Sequence, residues 1–209
     1  MNLPNFLTFT GIDAQTDLIR ARELSLFYPI EWGVLFSEER QGKENRYPSL
    51  QDIDHITAET ALNLSAHLCG RYAKAVMASE DPGINLRGFK RTQINHASPS
   101  QTPASTYGAE RDIIPIIQVR NLEFPADEGC AMLFDRSGGR GVPPNEWPLH
   151  PGDRMVGYAG GISPDNILDV LKAVDSSGPY WLDMETSLRD ENDLFDLDKC
   201  EAIAKAVYG

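Results

Sequence analysis

The chain is short of cysteine, of positive charge and of long apolar runs, and each shortage removes a class of protein. Cys69, Cys130 and Cys200 are the only cysteines, widely spaced and without a Cys-x-x-Cys pair, which argues against a disulfide framework or a zinc knuckle. They are expected to be reduced packing residues. No apolar run approaches the roughly 20 residues needed to cross a bilayer. The opening MNLPNFLTFT lacks the basic flank and cleavage pattern of a signal peptide, so the expected location is the cytoplasm. Lysine and arginine number 19 against 31 aspartates and glutamates, a net charge of −12. With no basic run, that field opposes nucleic acid and anionic membranes as partners. It does not oppose a phosphorylated small molecule. A phosphate in a cleft responds to nearby amides and arginines more than to surface carboxylates beyond a Debye length of about 8 Å.

What is present is an ordinary globular composition, 41% hydrophobic over 209 residues, without an internal repeat. Short apolar runs alternate with amphipathic segments. Strands are predicted at 6–10, 31–36, 62–68, 91–95, 113–119, 131–134, 155–158 and 180–184. Helices are predicted from Thr16 or Asp17 to Phe27, from Ser49, over 71–77, after Ser163 to about Val174, and over 198–207. The stretch HASPSQTPASTYGAERD is too rich in Pro, Ser and Thr to read as a helix and is expected to be a long loop with a helical turn. Strands separated by helical patterns argue for a parallel sheet, and eight such units for a small (β/α)8 TIM barrel formed by the whole chain as one domain. A doubly wound open sheet is the alternative.

The segment RMVGYAGGISPDNI at 154–167 reads as strand, glycine turn and helix start. Ser163 suits an N-cap, Pro164 the first helical position and Asp165 the positive end of the dipole. Two glycines before a helix start offer free N–H groups to an anion. In a barrel the loops after the seventh and eighth strands are where a phosphate is held.

Several segments together resemble phosphoribosylanthranilate isomerase, a small (β/α)8 barrel, nearly end to end. Thr10-Gly11-Ile12-Asp13 is similar to that family's first-strand Cys-Gly-Ile-Thr, and Arg46-Tyr47-Pro48-Ser49 follows the second strand like its Ser-Pro-Arg-Tyr loop. Gln93 stands at a Gln-Leu-His element. Asp135, Gly138-Gly139-Arg140-Gly141 and Trp147 resemble an Asp, Gly-Gly-Thr-Gly and Asp-Trp series. The match of Ala159 through Asn166 to Ala-Gly-Gly-Leu-Asn-Pro-Glu-Asn is the nearest, and Asp183 begins the eighth-strand element.

The resemblance implies a cofactor-independent and metal-free isomerisation of a phosphoribosyl amine. It implies Asp135 as general acid and Arg46 against a substrate carboxylate. Thr10 stands where the family has its cysteine base, and a hydroxyl is a poor proton acceptor near neutral pH. Asp13 or Asp183 is therefore expected to replace it. Glu185-Thr186-Ser187 replaces Ser-Ser-Gly in the eighth-strand phosphate loop.

The expected site comprises Asp135, Asp13, Asp183 and Thr10 for chemistry. Arg46, Arg40, Gln93, Gly160, Gly161 and Ser163 are expected to bind substrate. His67 and Cys69 share a face of the third strand, where a lone histidine is more often a packing residue. The acidic run Asp190 to Asp198 is expected to solvate a loop and start the last helix. The leading expectation is an enzyme that isomerises a phosphorylated sugar-like molecule. A ligand-binding barrel without turnover, or a metal-assisted lyase or hydrolase using Asp183 and Glu185 with Glu38 or His67, are the alternatives. Oligomeric state is left open.

Overall fold

The computed structural model describes residues 2–138, 140–174 and 176–209. Eight strands close into a barrel in chain order, every neighbouring pair parallel. They are β1 (Phe6–Thr10), β2 (Ile30–Phe36), β3 (Leu64–Leu68), β4 (Phe89–Ile94), β5 (Ile114–Val119), β6 (Ala131–Phe134), β7 (Val156–Ala159) and β8 (Tyr180–Met184). The helices are α1 (Leu18–Phe27), α2 (Leu50–Ala58), α3 (Arg71–Met77), α4 (Gln101–Ala109), α5 (Ile167–Val174) and α6 (Leu197–Tyr208). The TIM barrel expected from the strand pattern is the architecture observed.

Local chemistry explains three of the helix starts. Asp17 caps α1 by accepting from the N–H groups of Ile19 and Arg20. Ser49 and Asp52 close a reciprocal capping box on α2, and Asp196 caps α6. The segment at 101–109 departs from expectation, forming a helix in place of a loop. Pro103 lies in its first turn, where a missing N–H costs no hydrogen bond, and Ala104, Tyr107 and Gly108 bury one side against β5. Tertiary packing here overrides propensity. Helix α5 starts three residues after Pro164, at Ile167. Asn166, rather than Ser163, organises its entry: the Asn166 side chain accepts from the Ser163 N–H at 2.8 Å and donates to the Gly161 carbonyl at 2.8 Å. Among the described residues, the connections β5 to β6 and β6 to β7 contain no helix. Their loops cover the outside of the barrel with aromatic rings instead, Trp147 lying edge-on to both Phe134 and Tyr158 and Phe124 edge-on to Tyr158.

Contacts between strands that are not neighbours show which side chains face the barrel interior. Arg91 on β4 pairs with Glu31 on β2 at 3.0 Å and lies over the Trp181 ring of β8 at 4.0 Å. Thr8 on β1 donates to the same glutamate at 2.9 Å. This charged cluster, with Phe6 stacked on Trp181, fills the half of the interior nearest the strand N-termini. Ile116, Leu133, Ala159 and Trp181 form a small apolar group beside it, while the larger core lies between strands and helices. The interior is left open toward the carboxyl ends of the strands. No helix is long and apolar enough to cross a membrane among the described residues.

Gly157 on β7 makes room for the indole: a Cβ there would lie 2.3 Å from Trp181 and 2.7 Å from Leu133. Gly157→Ala is therefore expected to overpack the interior and destabilise the chain by about 1–3 kcal/mol, read as a lower urea midpoint. An unchanged midpoint would show that Trp181 can move aside without loss.

Candidate active site

A cavity of about 650 Å³ opens at the carboxyl ends of the strands, where barrel enzymes place their chemistry. Of the residues expected from sequence, Thr10, Asp135 and Asp183 line it, as do Arg40, Arg46 and Gln93. Gly160, Gly161 and Ser163 close its β7 side. Gly139, part of the expected glycine series, lies outside the described residues.

Asp13 is the residue that the structure takes elsewhere. It does not line the cavity; its carboxylate faces Arg189 at 3.0 Å and accepts the Phe195 N–H at 2.8 Å, with both charged side chains almost sealed from solvent. Gln15 and Thr16 donate to its other oxygen. The pair fastens the end of β1 to the segment after β8, so the expectation that Asp13 replaces a base is corrected: all its lone pairs are directed at structural partners.

Asp183 has a different setting. It ends β8 inside the barrel, and Thr10 at the end of β1 donates to its Oδ1 at 2.7 Å. Burial pushes its proton affinity well above the usual carboxylate range, and the neighbouring Glu185, Glu31 and Asp135 add to that, while the Thr10 hydroxyl works against it. Opposite, Asp135 at the end of β6 accepts from the Ser137 hydroxyl at 2.7 Å, from the Ser137 N–H at 3.0 Å and from Gln118 at 3.3 Å. Among the described residues these donors hold that carboxylate in one orientation. The β3–β4 wall is uncharged. Gln93 donates to Asn95 at 2.9 Å and Asn95 to the Cys69 sulfur at 3.3 Å. Burial raises the Cys69 thiol, and burial with the nearby Arg91 drops His67 to about 3, so His67 is neutral near pH 7.

The glycine turn after β7 has φ of +116° at Gly160 and +60° at Gly161, conformations that favour glycine. It meets the loop after β8, where the Ser187 hydroxyl donates to the Ile162 carbonyl at 2.6 Å. A Cβ on Gly160 would lie 3.8 Å from Asp135 Oδ1, which puts turn and acid in one mouth. Among the described residues the Gly160 and Gly161 N–H groups donate to no backbone carbonyl. Ser163 differs, because its N–H is taken by Asn166. Pro143 packs against one side of the turn, where a Cβ on Gly161 would meet its ring at 2.4 Å.

Arg46 bridges the cavity rim. Its Nη1 reaches Glu185 Oε1 at 3.1 Å and its Nε reaches Asp193 Oδ2 at 3.2 Å. Glu185 thus points toward the arginine, and burial raises its proton affinity against the pull of Arg46. Arg40 meets the Tyr47 hydroxyl at 3.2 Å and Glu44 at 3.7 Å. Sequence reasoning missed Asp193, treated as one solvated member of an acidic run, and Ser137, Asn166 and Pro143. Arg189, four residues before Asp193, was a local signal for it, whereas its partner Arg46 is 147 residues away and is brought there by the fold. Among the described residues no three His, Cys, Asp or Glu side chains are grouped to hold a metal ion.

The barrel matches those of phosphoribosylanthranilate isomerases. The enzyme from Thermus thermophilus superposes with a TM-score of 0.64 at 20% identity, covering 95% of this chain and 96% of that one. The Thermotoga maritima enzyme gives 0.65 at 17% identity, covering 97% and 98%. A third structure, of the isomerase in complex with reduced 1-(o-carboxyphenylamino)-1-deoxyribulose 5-phosphate, gives 0.60 at 17% identity over 95% and 96%. No family model matches the chain, and no curated protein matches it in sequence. The likeness is one of fold, and it runs nearly the whole length, as the motifs do.

The two aspartates make opposite contributions to stability. Asp13→Asn leaves the buried Arg189 with the half-exposed Asp193, at 3.4 Å, as its remaining carboxylate and is expected to cost about 3 kcal/mol at pH 7 in urea unfolding, the lower end for a broken buried pair. For Asp183 the folded chain keeps a proton that the unfolded chain loses near pH 4, so stability falls as pH rises from about 4 toward the raised value and then levels. Asp183→Asn is expected to raise Tm at pH 8 by roughly 2–4 °C for each kcal/mol relieved, and to leave it nearly unchanged at pH 3. A lower Tm for Asp183→Asn at pH 8 would contradict the assignment.

Proposed function

We propose that this barrel is an enzyme that binds a phosphorylated sugar-like molecule at its open mouth and isomerises it by proton transfer. The observation that carries the reading is the Thr10–Asp183 hydrogen bond inside the cavity, facing Asp135 and the glycine turn. A carboxyl with raised proton affinity exchanges a proton near neutral pH more readily than an ordinary one, which suits general acid–base work. With Asp13 engaged by Arg189, Asp183 is the remaining replacement for the base that Thr10 cannot supply.

In this reading the Gly160 and Gly161 amides receive the phosphate, and Asp135 gives a proton to the ring oxygen of a glycosylamine-type substrate. The ring carbon–oxygen bond breaks and the nitrogen lone pair forms an iminium. Asp183 then takes the proton from the adjacent carbon, the electron pair of that bond neutralises the iminium, and the resulting enol tautomerises to a ketone. No atom enters or leaves overall. The isomerase structure of the same fold holding a deoxyribulose 5-phosphate derivative supports the ligand class. A ligand-binding barrel without turnover is the second reading, favoured by Pro143 closing on Gly161 and by the weak basicity of the Thr10 hydroxyl.

Turnover of phosphorylated glycosylamines with and without a carboxylate on the amine, phosphoribosylanthranilate and phosphoribosylaniline among them, is the test. Asp135→Asn and Asp183→Asn are each expected to lose about 10²–10⁴ in kcat/KM. Thr10→Val removes a hydrogen bond that favours the ionised form and is expected to move the titration of Asp183, followed by carboxyl NMR, to higher pH. Ligand-induced stabilisation without turnover in the native chain would select the second reading. Failure of every phosphorylated compound to raise Tm would remove both.

A further inference from the structure

We infer that the site selects a phosphorylated ligand whose second substituent is uncharged, and turns away one bearing a carboxylate there. The inference rests on the phosphorylated-ligand reading above and adds what the other end of the molecule must be.

The rim between β2 and β8 carries more carboxylates than guanidinium groups. Arg46 faces two carboxylates, Glu185 at 3.1 Å and Asp193 at 3.2 Å. Arg189 also approaches Asp193, at 3.4 Å, but its charge is matched by Asp13 at 3.0 Å. Two guanidinium groups against three carboxylates leave this corner one charge negative when all are ionised. Arg40 adds no free cation, since Glu44 lies 3.7 Å from it and its guanidinium lies over the Tyr47 ring.

A ligand carboxylate reaching Arg46 would have to separate it from both partners and then sit beside Glu185, a like charge. An amide, hydroxyl or unsubstituted ring meets no such opposition. The adjoining wall supplies the matching chemistry: Gln93, Asn95 and the Cys69 thiol form a neutral hydrogen-bonded chain, and His67 carries no charge near pH 7. Uncharged donors and acceptors recognise uncharged polar groups without the desolvation cost of burying an ion. Glu185 and Asp193 thus act as specificity-determining residues: they occupy the arginine that an anionic substituent would need.

Calorimetric titration of the full chain with two compounds tests this: reduced 1-phenylamino-1-deoxyribulose 5-phosphate and its o-carboxyphenylamino counterpart. The native chain is expected to bind the uncharged compound at least tenfold more tightly. In the Glu185→Gln/Asp193→Asn variant, Arg46 is released and the carboxylated compound is expected to gain at least tenfold, closing or reversing the gap. Equal or tighter binding of the carboxylated compound by the native chain overturns the inference and leaves the phosphorylated-ligand reading standing. A gap that stays the same in Glu185→Gln and in the double variant overturns the assignment to these residues. If neither compound nor ribulose 5-phosphate binds the native chain, the underlying reading fails and the inference with it.

Discussion

Arg91 lies flat on Trp181 inside the barrel with its charge met by Glu31, and the rest of the site is built on that plug. A buried cation over an indole contributes about 2 kcal/mol when desolvated, and the glutamate beside it keeps the charge compensated. Because the cluster fills the lower interior, the cavity above has a floor. Strand ends deliver Thr10, Gln93, Asp135 and Asp183 to one level above it. The plug also sets local electrostatics. Arg91 helps keep His67 neutral, and Glu31 helps raise the proton affinity of Asp183.

The segment after β8 is the second organising piece. Arg189 grips Asp13 and the backbone of Gly11, while Asp193 turns back to Arg46. One loop therefore joins the end of β1, the loop after β2 and the rim of the cavity. Glycine matters at two places here, Gly160 and Gly161, where positive φ lets the chain turn away from β7 at the edge of the cavity. Asn166 and Pro143 then shape the turn from either side.

The strands were legible because short apolar runs bounded by polar turns leave little else for those residues to do, and 6–10, 131–134 and 180–184 matched to the residue. Helix α4 was not legible: Pro, Ser and Thr disfavour helix locally, and the burial of Ala104, Tyr107 and Gly108 that reverses the balance is not visible along the chain. Asp13 and Asp183 looked alike in sequence. They differ because a partner 176 residues away in the chain reaches one of them, and a hydroxyl 173 residues away reaches the other. The acidic run behaved as expected at Asp196, which caps α6, and differently at Asp193, which an arginine from a distant loop recruits.

By itself, then, the sequence determined the succession of strands and of every helix but α4, the closed barrel they imply, and the general place of the glycine turn. Those properties depend on periodicity, capping and backbone conformation, which act over a few residues. Only the tertiary structure decided which aspartate is buried so that its proton affinity rises, which is paired with a buried arginine, and that the rim arginine is already engaged. Such states depend on desolvation and on charges brought together from opposite ends of the chain, and no local pattern encodes a distance through space.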